Sequence, residues 1–159
     1  MVIAGPTASG KTRTAVSLGL ALNAPVVSAD ARQFYRELSI GAAIPSIEEM
    51  KGVSHFLIGH LSVSDQYNVS MYERDALEIL DCLFAKHPIV LLAGGSGLYL
   101  DTLCFGMDDI PAADPGVRSH VKSLYELHGL EGLRRQLRIA DPAYASEVDP
   151  ANPKRMMRG

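Results

Sequence analysis

Four short apolar runs punctuate the first two thirds of the chain, and the stretches between them repeat apolar residues at helical spacing. Val2 to Ala4, Pro25 to Ser28 and Pro88 to Ala93 lack the in-out alternation of a half-exposed strand, which is the pattern of strands buried on both faces. His55 to His60 reads as a strand or an irregular extended piece. Between the first two runs, Thr12 to Leu22 places Ala15, Leu18, Ala21 and Leu22 at helical spacing and is stopped by Asn23 to Pro25. The longest helical pattern runs from Tyr67 to Lys86, opening near Ser70. It predicts burial of Met71, Ala76, Leu77, Leu80 and Leu83, with Glu73, Arg74, Asp75 and Glu78 facing water. Glu37 to Gly52 carries the loop signals Gly41, Pro45 and Gly52, and within it Ser46 to Glu49 has the pattern of a capped helical turn. Strands alternating with helices predict an α/β fold, a parallel sheet flanked by helices.

The texture changes beyond Gly106. Asp108-Asp109 and Pro111 are followed by Asp114-Pro115, an N-cap and first-turn proline opening a helix. Val117, Val121, Leu124 and Leu127 share one face, Leu130, Leu133 and Leu137 mark a second helix, and Asp141-Pro142 opens a third. The expected organisation is an α/β core over residues 1–110, a helical insertion over 111–150 and the start of a return to the core over 151–159. The helical part carries Arg118, His120, Lys122, Arg134, Arg135, Arg138, Lys154, Arg155 and Arg158, which form either a patch toward an anionic partner or a solvated face.

Composition narrows the field modestly. The 159 residues, 47% of them hydrophobic, suffice for one domain with its own core. A net charge of -3 excludes a global basic field, although a local patch remains compatible with it. Cys82 and Cys104 sit in no metal-ligand or redox spacing and read as buried free thiols of a reducing compartment. No apolar run reaches membrane-spanning length and Met1 leads straight into a strand, so the expectation is a cytoplasmic chain with no membrane partner.

The chemistry is concentrated where apolar runs end. Gly5-Pro6-Thr7-Ala8-Ser9-Gly10-Lys11-Thr12 fits G-x-x-x-x-G-K-[ST] between a strand and a helix, a phosphate-binding loop. Its glycines let successive N–H groups converge, and the following helix adds the positive end of its dipole. Lys11 brings a mobile charge to terminal phosphate oxygens, and the Thr12 hydroxyl is placed to hold a Mg²⁺ between two phosphates. Asp30, just past the second run, lies on the sheet edge where ligands bind in open α/β folds. It is read as a metal ligand, a general base or a turn aspartate. Gly94-Gly95-Ser96-Gly97 ends the fourth run, either as a close-approach turn with Ser96 donating to a ligand or as a plain strand-to-helix connection. His55 and His60, five apart with no cysteine or HExxH context, suit hydrogen bonding better than a metal.

Taken together, GPTASGKT at Gly5 to Thr12, Val27 to Tyr35, Ile40 to Pro45, Gly94 to Tyr99 and Asp114 to Arg118 resemble the successive signatures of tRNA dimethylallyltransferases. Asp141-Pro142 and Asn152 to Arg158 resemble the segment after that family's helical insertion. The resemblance implies a P-loop NTPase-like core and transfer of a dimethylallyl group from its diphosphate to N6 of an adenine beside the anticodon of tRNA, with Mg²⁺. It further implies that Gly5, Pro6, Thr7, Ala8, Ser9, Gly10, Lys11 and Thr12 hold the diphosphate, with Thr12 at the metal. Asp30 becomes the general base on N6, Ser96 stands for a substrate-contacting threonine, and Arg155 helps neutralise diphosphate. Asp30, Ala31, Arg32, Gln33, Ser96 and Arg118 then face the anticodon arm of tRNA, and the protein acts as a monomer. Ala31, Ala42 and Ile44 depart from the serine, threonine and lysine usual in the family. Family members continue past the position of Gly159, so the resemblance implies that a C-terminal part is absent.

The assigned chemistry is coherent with these residue types. Charge builds on the leaving diphosphate, where Lys11, loop N–H groups, Mg²⁺ and an arginine stabilise it, while a carboxylate accepts the proton of a weakly nucleophilic amine. Two other classes share the loop. A small-molecule P-loop kinase would bind ATP there, but would want an acidic residue at the end of Ile89 to Ala93, where glycines and serine stand. A non-catalytic nucleotide- or RNA-binding remnant would keep the loop alone.

Overall fold

The computed structural model describes residues 1–38, 40–107 and 114–158. Asp108-Asp109, Pro111 and the expected boundary near residue 111 lie outside them. The chain divides into two compact units, one up to Asp108 and one from Asp109.

In the first unit, Val2–Ala4 forms β1, Lys11–Leu22 α1, Val26–Ser28 β2, Ile47–Met50 α2, His55–Phe56 β3, Val69–Phe84 α3, Leu91–Gly94 β4 and Gly97–Phe105 α4. The strands make one sheet in the order β1-β4-β2-β3, and every pairing is parallel, with Val27 opposite Leu92 and Val2 also opposite Leu92 on the other side. β4 is therefore central, and β1 lies parallel to β2 through it. The unbroken apolar character of β2 has a direct cause. Val26 turns toward α1, joining Ala15, Val16 and Leu91, whereas Val27 turns the other way, joining Phe34, Tyr72, Ala76 and Leu92 under α3 and α4. Both faces are covered, so both valines are buried, and the polar residue that ends the strand, Ser28, is buried with its hydroxyl donating to Gln33 Oε1.

The helices occupy their expected places but show different faces. On α1 the buried residues are Ala15, Val16 and Gly19, while Ala21 and Leu22 are exposed. The α3 face is centred on Tyr72, fully buried, with Ala76 and Leu83, and Leu77 is 47% exposed; Cys82 on this helix and Cys104 on α4, both expected to be buried, are exposed as well. Tyr72 belongs inside because its ring stacks on Phe34 at 5.3 Å and its hydroxyl donates to the Ser28 carbonyl at 3.2 Å. An aromatic with one satisfied polar tip tolerates full burial. Asp75 is half-buried and accepts from the Tyr67 hydroxyl at 3.0 Å. Asn68 caps α3, its Oδ1 accepting from the Met71 N–H, which moves the start ahead of Ser70. Ser46 and Glu49 form the capping box of α2. The extended piece at His55 stops after Phe56 because Leu57 adopts φ 57°, so His60 lies off the sheet.

In the second unit, Pro115–Ala140 is α5, Pro142–Glu147 α6 and Pro153–Met156 α7. The two helices expected around Leu124 and Leu133 are both present as the two arms of α5, separated at Gly129, whose backbone (φ 60°, ψ −158°) is not helical. Asp114, Asp141 and Asn152 cap the three starts, each accepting main-chain N–H bonds. Leu133, Leu137, Val148 and Met156 make a small separate core. Val117 and Leu127, expected on an apolar face, are 59% and 78% exposed. Among the described residues, no helix is long and apolar enough to cross a membrane.

Candidate functional site

The phosphate loop joins β1 to α1 at the carboxyl end of the sheet. Its turn depends on left-handed backbone at Ala8 (φ 64°) and at Gly10 (φ 85°), the N-cap of α1. Gly10 reaches that conformation without strain, and the chain then enters α1 with the N-terminal amides of the helix at the loop. Lys11 is half-buried, and its Nζ donates to the Pro6 carbonyl at 2.7 Å, spanning the loop it will serve.

The segment after β2 comes to the same rim. Asp30 Oδ1 accepts the Arg32 N–H at 3.1 Å and the Asp30 carbonyl accepts the Gln33 N–H at 2.9 Å, so the turn reading of Asp30 is realised. The ligand-facing reading is equally compatible, because Asp30 also lines a cavity with the phosphate loop. That cavity, about 490 Å³, runs from Thr7 to Thr12, Asp30 and Gln33 at one end toward Ala42, Ala43, Glu49 and Lys51 at the other. A recess of about 30 Å³ adjoins it between Lys11, Asp30, Ser28, Ala93 and Gly94. A methyl group built on Gly95 would lie 3.6 Å from Lys11 Nζ and 3.9 Å from Asp30 Oδ2, so the second glycine turn meets the first. At Gly94 the constraint is between strands, since a Cβ there would overlap the main chain of Ala29.

Other expected residues sit differently. Ser96 is the N-cap of α4 without capping it. Its Oγ accepts the Ala31 N–H at 3.0 Å, and it does not line the cavity. Ser96 thus ties the loop carrying Asp30 to the end of β4 while its own hydroxyl hydrogen is available to a ligand. Gln33 is a strut, accepting from Ser28 Oγ at 3.0 Å and donating to the Ala42 and Ala43 carbonyls at 3.3 Å each. Arg32 is exposed and Ala31 half-buried. Arg118, in the first turn of α5, and Arg155, in α7, belong to the second unit and are exposed. Of the other cations there, Arg134 donates to the Pro150 carbonyl and pairs with Glu131, and Lys122 pairs with Glu126 at 3.8 Å.

Sequence reasoning passed over Arg13, Glu49 and Lys51, all on the cavity wall. Arg13 follows the loop threonine directly, whereas Glu49 and Lys51 become neighbours of the loop only through packing of α2 on α1. Tyr72 and Ser28 were also missed as supports of the Asp30 segment, because the partners of their hydroxyls are set by packing. His55 donates from Nδ1 to the Val53 carbonyl, 2.8 Å away. His60 packs edge-on to Phe34 and Tyr67, where desolvation holds its pKa below the usual histidine value. Among the described residues no group of three His, Cys, Asp or Glu converges as a metal site. Mg²⁺ differs in its needs, keeping waters and taking one or two protein oxygens plus phosphates, and the Thr12 hydroxyl on the cavity wall fits that role.

Comparison with known proteins agrees with this architecture. The chain is 44% identical over 158 residues to the tRNA dimethylallyltransferase of Cytophaga hutchinsonii, covering 99% of this chain and 52% of the relative. It is 45% identical over 158 residues to tRNA dimethylallyltransferase 2 of Porphyromonas gingivalis, covering 99% and 53%. The full-length tRNA isopentenylpyrophosphate transferase of Bacillus halodurans superposes with a TM-score of 0.65 at 32% identity, over 99% of this chain and 52% of that one. A eukaryotic dimethylallyltransferase acting on tRNA shares the fold, with a TM-score of 0.81 at 23% identity over 99% of this chain and 39% of that one. The chain spans about half the length of the curated relatives it matches. The profile described as IPP transferase matches residues 33–159, most of the molecule, and the chain belongs to that family.

Proposed function

We propose that this chain carries the diphosphate-binding and base-bearing part of a tRNA dimethylallyltransferase, which moves a dimethylallyl group from its diphosphate to N6 of an adenine beside the anticodon. The observation that carries this reading is the cavity of about 490 Å³ whose wall is shared by the phosphate loop, Lys11, Thr12 and Asp30. Loop N–H groups and Lys11 bind the diphosphate and orient it. As the allylic carbon leaves its diphosphate oxygen, Lys11 stabilises the charge developing there. The N6 nitrogen forms the new bond to that carbon, and its proton passes to Asp30. Mg²⁺, held by Thr12 and the phosphates, would add further neutralisation of the leaving group. Ser96 and Gln33 keep Asp30 and the Ala42–Ala43 wall in place through the bonds described above. Arg155 assists the diphosphate, and Arg118, Arg32 and Ala31 meet the RNA, with the helical unit as part of the anticodon-arm surface. The kinase reading loses support because β4 ends in Gly94 and is followed by Gly95, without an acidic residue for the metal of ATP.

Calorimetric titration with dimethylallyl diphosphate and Mg²⁺ tests the reading. The chain should bind, and Lys11→Ala should weaken binding by about 2 kcal/mol, the scale of a charge-assisted contact. Equal affinity of the two proteins would refute the assignment of the loop.

A further inference from the structure

The first turn of α1 carries charges that a helix alone does not favour. Gly10, the N-cap, offers no side chain as a cap, and the first intrahelical bond runs from the Thr14 N–H to the Gly10 carbonyl at 3.1 Å. The amides of Lys11, Thr12 and Arg13 therefore find no partner within the helix. The same turn has no acidic residue and carries two cations instead, Lys11 and Arg13. Cations at the positive end of a helix dipole are unfavourable, and an anion placed against that end offsets them. The phosphate-loop pattern accounts for Lys11, whereas Arg13 lies one residue beyond it.

The helix also sets where the Arg13 side chain goes. Arg13, Val16, Ser17 and Leu20 all line the cavity, and their spacing of three, four and seven residues makes them one stripe of α1. Side chains on a helix lean toward its N-terminus, so one as long as arginine reaches back along the stripe toward the loop. Among the described residues Arg13 takes part in no ion pair. The two carboxylates of the cavity wall are engaged by main-chain amides, Asp30 by the Arg32 N–H at 3.1 Å and Glu49 by the Ser46 N–H at 2.9 Å. The remaining cation of the wall, Lys51, stands off α1 as the C-cap of α2.

We propose that Arg13 is a further ligand of the diphosphate, its guanidinium fork meeting two phosphate oxygens beside Lys11 while its own amide joins those of the loop. A planar fork fixes the rotation of a phosphate group, which a point charge such as Lys11 does not. The inference rests on the reading that the loop holds a diphosphate, and it adds an arginine from the same unit, since Arg155 belongs to the other.

Calorimetric titration of the 159-residue chain with inorganic pyrophosphate and Mg²⁺ tests it. Arg13→Ala should weaken binding about tenfold, the scale of a charge-assisted contact at a partly exposed site. Arg13→Lys keeps the charge and loses the fork, and should cost about threefold. Lys51→Ala removes the same charge from the far end of the cavity and should cost about twofold or less. Without ligand, Arg13→Ala should leave the thermal midpoint unchanged or raise it, because a cation is removed from the positive end of α1, and the rise produced by pyrophosphate should shrink. Parent-like affinity of Arg13→Ala while Lys11→Ala binds weakly overturns the proposal and leaves the loop reading intact. Equal losses in Arg13→Ala and Lys51→Ala overturn it too, since the field of the cavity rather than a contact would be responsible. A lowered ligand-free midpoint in Arg13→Ala likewise overturns it, making the residue a structural one. Unchanged affinity in Lys11→Ala is the separate result that removes the loop reading, and the proposal with it.

Discussion

In the sheet unit, polar side chains near the phosphate loop are tied down several times over, whereas in the helical unit Arg118, assigned to RNA, and Arg155, assigned to the diphosphate, are exposed on helix turns. Asp30 sits in a segment fixed by Ser96 Oγ at Ala31, by its own bond to Arg32 and by the Ser28–Gln33 strut. Arg118 and Arg155 are instead set by their helices, and the side-chain bonds of that unit go mainly to caps and to Arg134. The contrast follows from what each chemistry requires. Proton transfer to a named oxygen demands positions held to fractions of an ångström, while attraction to a polyanion depends on the number of charges and tolerates motion.

Loss of the fixed carboxylate should have the largest effect. Asp30→Asn keeps the turn but cannot accept a proton, and in this chain fused to the unmatched half of the Cytophaga hutchinsonii relative it should slow single-turnover prenyl transfer by about 10² to 10⁴ with diphosphate binding retained. A rate within a few-fold of the parent would leave Asp30 as a turn residue only and erase the contrast between the units.

Gly94→Ala probes the frame of the same unit. Its Cβ would overlap the Ala29 main chain, so β2 and β4 must separate, at a cost of about 1–3 kcal/mol. Chemical denaturation should show that loss in the sheet unit, and an unchanged midpoint would contradict the close strand approach.

The helical unit should respond more gently. Arg118→Ala, measured by gel shift of tRNA against salt, should lower the salt slope by about 1 without changing diphosphate binding. A specific loss confined to one tRNA sequence would mean that Arg118 is positioned as tightly as Asp30.

The smallest effect is expected at His60. Burial beside Phe34 and Tyr67 lowers its pKa, countered by the Asp75 carboxylate and reinforced by Arg36, so the folded chain binds this proton less readily than the unfolded one. Its contribution is present above the unfolded value of about 6.5 and is lost as pH falls from there through the lower folded value. His60→Gln should flatten the pH dependence of the unfolding midpoint in that window, and an unchanged slope would place the titration elsewhere.

The contrast between units also separates what could be read from residues alone. The phosphate loop was legible because its chemistry is local: eight consecutive residues between an apolar run and a helix define it without help from distant parts. Strand positions and caps were legible for the same reason, as at Ser46 and Asp114, where a side chain and an amide three residues on satisfy each other. The periodicity around Tyr72 misled because a hydroxyl counts as polar until a partner such as the Ser28 carbonyl is known. Only the tertiary structure decided that Ser96 holds Ala31, that Gln33 braces the Ala42–Ala43 wall, and that Glu49 and Lys51 face the phosphate loop. Those relations join residues brought together by the order β1-β4-β2-β3, and the chain meets itself there by packing across the sheet, which no spacing along the sequence encodes.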